Sequence, residues 1–169
     1  MVKEFGEYLE ELVKDYLVVI EGYELVEIEV PYSFKHPIAH ISQFSSPSDI
    51  DVVGMKGNRV LFVSCREQPG NNKAWARDVR NLKRAKTVKT FYGHGIHLAV
   101  AFAAAPKAVK RKKILVNFFK VRGVRVLFFK DMATKLLSNV KEMDREGKYL
   151  TYGRYTWFFK WLIKSKLLT

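Results

Sequence analysis

The order of apolar and polar residues along the first half of the chain predicts one helix followed by three strands. Residues 4–18 place apolar side chains at helical spacing with Glu and Lys between them. Residues 23–30 alternate as a half-buried strand does, and residues 31–48, rich in Pro, Ser and His, predict a loop. Two more strands, at 49–55 and 59–65, are joined by the hairpin turn Lys56-Gly57-Asn58.

The second half predicts helices alternating with two more strands. A helix over 73–90 with Asn72 as its cap precedes a strand at 97–104, whose apolar run indicates burial on both faces. The remaining predicted elements are a helix at 106–121 with Pro106 in its first turn, a strand at 124–130, a helix at 131–143 capped by Asp131, and a final helix at 154–167.

An antiparallel opening followed by β-α-β units predicts an α/β fold with a mixed sheet flanked by helices. We expect residues 1–150 to form a single domain. Residues 151–169 would add a C-terminal aromatic and basic helix, packed on that domain or on the second subunit of a homodimer, because the helix is apolar nearly all round. An interfacial membrane helix has similar ingredients, so a peripheral membrane or partner-binding protein stays an alternative.

The chain has 169 residues, of which 48% are apolar, and this is a globular composition. Cys65 is the single cysteine, which excludes an internal disulfide and a Cys-rich zinc site. No apolar run reaches the length of a transmembrane helix, and the acidic, amphipathic N-terminus does not resemble a signal peptide. We therefore expect a cytoplasmic protein, and the scarcity of Gln beside plentiful Lys, Glu and Arg is typical of thermophiles.

Charge is distributed very unevenly around the total of +13. Residues 1–56 carry a net charge of −7, whereas residues 57–169 carry +20. A positive field of this kind attracts phosphate backbones, and release of their counterions drives binding. Nucleic acid is thus the favoured partner. A basic thermophile surface or an anionic membrane surface would also account for the charge.

Two basic clusters are the candidate phosphate contacts. The first recurs along one face of the predicted helix 73–90, and the second opens the next helix; they are Lys73, Arg77, Arg80 and Arg84, and Lys107, Lys110, Arg111, Lys112 and Lys113. Cations repel one another without intervening acids, and an anionic partner would relieve this repulsion. Such contacts position a duplex without specifying its bases. The alternative is a solvated helix face.

Three short motifs occur in a recognisable order. They are Gly6-x-x-x-Glu10 in the first helix, Ser48-Asp49-Ile50-Asp51 at the start of one strand, and Ser64-Cys65-Arg66 at the end of the next. Together they resemble the PD-(D/E)xK nuclease superfamily, especially the branch of archaeal Holliday-junction resolvases and resolvase-like endonucleases. The resemblance covers roughly residues 1–130. It implies a restriction-endonuclease-like fold and metal-dependent DNA hydrolysis.

By this resemblance Asp51 matches the metal-binding Asp and Glu10 the acid of the first helix, with Asp49 assisting. The implied cofactor is Mg²⁺ or Mn²⁺, which polarises the phosphate and activates water. Arg66 and Lys73 would steady the scissile phosphate. The other interpretation of the aspartates is that they cap a strand and accept hydrogen bonds from nearby loop amides.

The third motif departs from the family pattern. Ser64 stands where the family has Glu or Asp, and Arg66 stands where it has Lys. A hydroxyl is a poor metal ligand beside a carboxylate, and arginine cannot act as a base. Glu67, Gln68 or Lys73 could compensate, and a catalytically inactive, DNA-binding relative of the nucleases stays open as the second hypothesis.

Four histidines fall near predicted loops. His36 and His40 lie between the first two strands, and His94 and His97 flank a Gly-rich turn. Without a third and fourth ligand these residues make a weak zinc site, so packing or loop roles are favoured. Within the resemblance, the 31–48 loop would lie near the substrate, so that Lys35 or His36 could touch DNA.

Overall fold

The structure is a computed structural model that describes residues 5–35, 45–87, 93–148 and 153–167. Its elements are α1 (Phe5–Val19), β1 (Leu25–Lys35), β2 (Ser45–Lys56), β3 (Arg59–Arg66), α2 (Asn72–Ala85), β4 (Gly95–Phe102), α3 (Val109–Lys120), β5 (Val124–Phe128), α4 (Phe129–Arg145) and α5 (Arg154–Lys164). Each predicted helix and strand is therefore present, with shifted ends.

The strands form one mixed sheet in the order β1-β2-β3-β4-β5. The first three strands pair antiparallel, and β3, β4 and β5 pair parallel. The reason is connectivity: a two-residue turn joins β2 to β3, whereas helices α2 and α3 carry the chain across to each parallel strand. The predicted α/β fold with a mixed sheet and a single domain is confirmed.

Helices cover both faces of the sheet and create two apolar cores. The first core packs α2 and α3 against one face through residues such as Trp75, Leu82 and Phe119. The second packs α1 and α4 against the other face through Leu12 and Leu136, and α5 lies over it. Each large side chain that is fully buried contributes about 2 kcal/mol of hydrophobic stabilisation.

The 31–48 loop prediction was wrong at both ends, because residues 31–35 continue β1 and residues 45–48 begin β2. The two strands pair out to Lys35 and Ser45, so backbone pairing overrides the loop-forming residues there. Residues 36–44, with His36 and His40, lie outside the described residues.

Helix ends also differ from the prediction. Asn71 rather than Asn72 caps α2, since its side-chain oxygen accepts a hydrogen bond from the backbone N–H of Ala74 at 3.1 Å. Helix α2 ends at Ala85 instead of residue 90, and α3 begins at Val109, after Pro106. Asp131 is not the cap of α4 but lies in its first turn, where a carboxylate still favours the helix dipole.

Strand ends shift as well. β4 spans Gly95–Phe102 rather than 97–104, because its start pairs with the start of β3. β5 ends at Phe128, and residues 129 and 130, predicted as strand, already belong to α4. Among the described residues, no helix combines the length and the apolar character that crossing a membrane requires.

Candidate functional site

A pocket opens where β2 and β3 end beside α2. Its volume is about 300 Å³. The lining comes from the two strands and from the C-terminal half of the helix; it consists of Asp49, Ile50, Asp51, Val63, Ser64, Arg66, Asn81, Leu82 and Ala85. Four polar residues singled out in the sequence thus meet at one place: Asp49, Asp51, Ser64 and Arg66.

Asp51 is held by the neighbouring strand. Its Oδ2 accepts a hydrogen bond from the backbone N–H of Cys65 at 2.6 Å. Burial raises the pKa of Asp51, although this N–H, the charge of Arg66 and the Ser64 hydroxyl act in the opposite direction. This contact agrees with the interpretation in which the aspartate accepts hydrogen bonds from nearby backbone amides. It also fixes the carboxylate at the pocket wall.

Strand β2 is irregular at this residue. Ile50 and Val52 are two positions apart, yet Ile50 packs in the first core and Val52 in the second. Across from Asp51 on β1, Glu29 has a φ of 53°, which is rare for a residue with a side chain. Strict alternation of faces along β2 therefore fails at Asp51, and the distortion coincides with the acidic pocket.

Arg66 forms an ion pair that the sequence did not predict. Its Nε donates to Asp78 Oδ1 at 2.8 Å, and its Nη2 lies 2.6 Å from the same oxygen. The Asp78 side chain is 3% exposed, whereas that of Arg66 is 37% exposed. Burial works against the charge of Arg66, but Asp78 and Asp51 outweigh it and raise the pKa of the guanidinium. One edge of the guanidinium is thus locked, and part of it stays open to solvent.

Asp78 could have been suspected from its position alone. It is the single acid in α2, and it shares the apolar face with Trp75, Val79 and Leu82. A charged residue on the buried face of a helix signals a partner, because an unpaired charge there is costly. The identity of that partner depends on the packing of α2 against β3.

Glu10 lies on α1, on the other side of the sheet. It does not line the pocket, but burial and the charge of Asp51 raise the pKa of its carboxyl to about 7. Its Oε2 is buried and has no hydrogen-bond partner within the part of the chain that the structure describes. Burial and the charge of Asp51 thus both disfavour the ionised form of Glu10.

The donor set for a divalent cation is incomplete. Across residues 5–35, 45–87, 93–148 and 153–167, no group of three or more His, Cys, Asp or Glu side chains is arranged to hold a metal ion. Glu10 and Asp51 supply two carboxylates that influence each other, whereas Asp78 is occupied by Arg66. Glu67, Gln68 and Lys73 are exposed and do not line the pocket.

The arginines of α2 face solvent. Lys73, Arg77, Arg80 and Arg84 are all exposed, while the opposite side of the helix is buried. The second cluster lies next to them, because Arg111 Nη2 donates to the carbonyl oxygen of Gly70, just before α2, at 3.0 Å. We name these exposed cations the basic face: Lys73, Arg77, Arg80, Arg84, Lys110, Arg111 and Lys113.

The other members of the second cluster are placed differently from one another. Lys107 is exposed before α3 begins, whereas Lys112 is half-buried with its Nζ 4.6 Å from the centre of the Phe128 ring.

Of the described histidines, His97 is exposed on β4 and His94 is half-buried. Neither belongs to a metal-binding group within the described ranges.

Comparisons with known proteins inform the fold alone. No protein-family model and no curated protein matches the sequence. The structure is similar to that of protein VC1899 from Vibrio cholerae, with 14% identity and a TM-score of 0.50 over 78% of this chain and 33% of that one. It is also similar to the protein of unknown function AF1548, with 12% identity and a TM-score of 0.47 over 73% of this chain and 58% of the other. The chain thus spans a third of one neighbour and under two thirds of the other, and the likeness to VC1899 is one of fold.

Proposed function

We propose that this protein binds nucleic acid, with double-stranded DNA as the simplest ligand, through the basic face beside the Asp51 pocket. The observation that carries the proposal is the exposure of Lys73, Arg77, Arg80 and Arg84 on a helix whose single acid is buried and paired inward. Asp78 faces inward, so a polyanion would gain from phosphates placed along Lys73, Arg77 and Arg80.

The surroundings of α2 support the same partner. Helices α2 and α3 lie on one side of the sheet, and the hydrogen bond from Arg111 to Gly70 joins the two clusters of cations. Asn81 of α2 lines the pocket, so the phosphate backbone of a nucleic acid lying on the basic face would pass the exposed edge of Arg66. The nuclease resemblance of the opening motifs is consistent with this arrangement. In the cytoplasm, the expected location, the protein would encounter nucleic acid.

The pocket favours binding over hydrolysis. Phosphodiester hydrolysis in the nucleases that this chain resembles requires a cation held by carboxylates, and here the third acid is replaced by Ser64. The other carboxylates near the pocket do not replace that acid, because Asp49 is exposed and Asp78 neutralises Arg66. We therefore place a catalytically silent, nuclease-like DNA-binding module ahead of an active nuclease.

Binding is tested by fluorescence anisotropy with a four-way junction, a linear duplex and a single strand over a range of salt concentrations. We expect the logarithm of affinity to fall with the logarithm of salt, with a slope of about −3.6 for four phosphate contacts on the duplex. The double charge reversal Arg77→Glu/Arg80→Glu should lower the affinity at least about tenfold and flatten the slope by about 2.

A matched control separates the basic face from the net charge. Lys130→Glu/Arg145→Glu makes the same change in charge on exposed positions of α4, which covers the other side of the sheet. This variant should bind within about twofold of the unaltered protein, because a distant charge is screened. Equal losses in both variants, or no binding to any of the three ligands, would contradict the proposal.

Metal-dependent DNA hydrolysis is the second candidate, and one observation favours it. The buried Glu10 oxygen without a partner, near the charge of Asp51, is the kind of uncompensated acid that a divalent cation would satisfy. Mg²⁺ or Mn²⁺ often binds through two carboxylates plus substrate phosphates, which here would be Glu10 and Asp51. Such a cation would polarise the phosphate, and Arg66 would offer its exposed N–H groups to the same phosphate.

Cleavage assays distinguish the two candidates. The same three DNA substrates are incubated with Mg²⁺ or Mn²⁺, with the unaltered protein and with Asp51→Ala. The binding module predicts retention of intact DNA. Cleavage that Asp51→Ala abolishes and Lys130→Glu leaves unchanged would instead establish the hydrolase.

A further inference from the structure

Helix α5 carries an aromatic surface that the described part of the chain leaves exposed. Tyr155 and Phe159 point inward, since both pack against the second core and their rings lie 6.2 Å apart. On the outer side, Trp157 is 62% exposed, Phe158 44% and Trp161 49%. Exposed residues this large cost solubility unless something covers them, so a contiguous patch marks an interaction surface.

The charges that α5 and its flanking residues themselves carry are of one sign. Residues 153–167 contain four cations and no acid. Arg154 precedes the aromatic residues along the exposed side, and Lys166 follows them at the other end. A partner that covers the tryptophans would therefore meet positive charge at both ends of the patch, which selects an anionic partner.

A second copy of this chain fits the patch poorly. A two-fold contact through α5 would set its cations against their own copies, and it would bring no acid from this helix to balance them. A nucleic acid on the basic face would not reach the patch either, because α5 lies with α1 and α4 across the sheet from α2 and α3.

An anionic bilayer suits both the shape and the chemistry. The patch is the convex side of a helix, and Leu167, 65% exposed just beyond the helix, adds an aliphatic side chain that does not stack on bases. Tryptophan and phenylalanine insert at the headgroup boundary while flanking Lys and Arg contact anionic lipids. Each cation near such a surface adds to the attraction.

We propose that α5 is a membrane-docking element that seats Trp157, Phe158 and Trp161 at the headgroup level of an anionic bilayer. The protein would attach to one leaflet from outside rather than span it, in keeping with the lack of a spanning helix among the described residues. This inference is independent of nucleic-acid binding, because the two surfaces lie on opposite sides of the sheet.

Co-sedimentation with vesicles tests the proposal. Vesicles of phosphatidylcholine alone are compared with an equal mixture of phosphatidylcholine and phosphatidylglycerol. We expect at least about tenfold stronger binding to the anionic vesicles, weakened by high salt. Trp157→Ser/Trp161→Ser should lose most of this binding. Val109→Ser/Ile114→Ser, a change at two exposed apolar residues of α3, should retain it.

A second measurement uses the unaltered protein and does not depend on the folding of any variant. Brominated lipids quench tryptophans that enter the headgroup region, and Trp75 is buried in the first core, so the signal comes from α5. Quenching in anionic vesicles is expected. Absence of both sedimentation and quenching would overturn the proposal. The proposal would also fail if Trp157→Ser/Trp161→Ser changed only self-association or only DNA binding.

Discussion

The two sides of the sheet treat buried acids in opposite ways. On the α2 side, Asp78 is buried against a cation, Arg66, at salt-bridge distance. On the α1 side, Asp15 is fully buried and forms no ion pair with the residues that the structure describes. Its Oδ2 accepts the backbone N–H groups of Tyr155 at 2.8 Å and Thr156 at 3.2 Å. Glu10, on the same helix, is half-buried and has one oxygen without a partner among the described residues.

The difference teaches how each acid compensates for lost water. A guanidinium returns a full opposite charge, whereas two N–H dipoles at the start of a helix return less. Burial therefore raises the pKa of Asp15 to about 6 even though the N–H groups of Tyr155 and Thr156 pull the other way. On the α1 side the buried acid has a raised pKa, whereas on the α2 side the buried acid is neutralised by a fixed ion pair. The following substitutions test this contrast, beginning with the largest expected effect.

Arg66→Met should lower the free energy of unfolding by about 3 kcal/mol, because it leaves Asp78 buried without a cation. Asp78→Asn should cost less, since Arg66 is more than a third exposed and can turn its charge to water. Urea denaturation of the two variants at pH 7 measures the asymmetry. Arg66→Lys, which keeps the charge, is the control, and equal costs for Arg66→Met and Asp78→Asn would count against the pairing.

Gly153→Ala should cost about 2 kcal/mol by disturbing the seat of α5 on Asp15. Gly153 has a φ of 74°, and a methyl group there would overlap the Asp15 carboxylate. Gly147→Ala is matched, because Gly147 also has a positive φ of 67° but nothing within 4 Å of the added carbon. We expect about 1 kcal/mol from the control, so thermal unfolding should rank Gly147→Ala as clearly milder.

Asp15→Asn should remove part of the pH dependence of stability. The pKa of Asp15 is higher in the folded state than in the unfolded one, so the native protein binds the extra proton. Stability from this group is therefore greatest below about pH 4 and declines as pH rises through about 6, by about 2 kcal/mol in total.

Denaturation of the unaltered protein and of Asp15→Asn at pH 4.5 and pH 8 gives the difference directly. Asp131→Asn, a change at an exposed carboxylate in α4, should leave the pH dependence as it is. A slope shared by all three proteins would mean that Asp15 is not the group that titrates.

Glu10→Gln should stabilise the protein at pH 8 by about 1 kcal/mol, after allowance for partial exposure of the side chain. The raised pKa of Glu10, about 7, means that the fold disfavours its charge above that pH. The change in unfolding midpoint between pH 5 and pH 8 is the measurement, with exposed Glu27→Gln as the control. If Mn²⁺ raises the unfolding midpoint of the unaltered protein but not that of Glu10→Gln, Glu10 binds a divalent cation.

The sequence by itself determined the order of the elements and the composition of the basic face. Helical spacing placed Arg77 and Arg80 on one face of α2, and the structure exposes that face while it buries Trp75 and Val79 on the other. The hairpin and the crossovers then followed from connection lengths. These features depend on contacts within a few residues, and such contacts repeat with the period of the backbone.

The tertiary structure alone decided how the acids are compensated. Arg66 and Asp78 are 12 residues apart in sequence, and Asp15 and Tyr155 are 140 apart. Periodicity places Asp78 on the buried face of α2, but its partner depends on how α2 meets β3. The burial of Asp15 depends on how α5 meets α1. The local distortion of β2 at Asp51 is likewise absent from the alternating pattern, because it arises from pairing with β1.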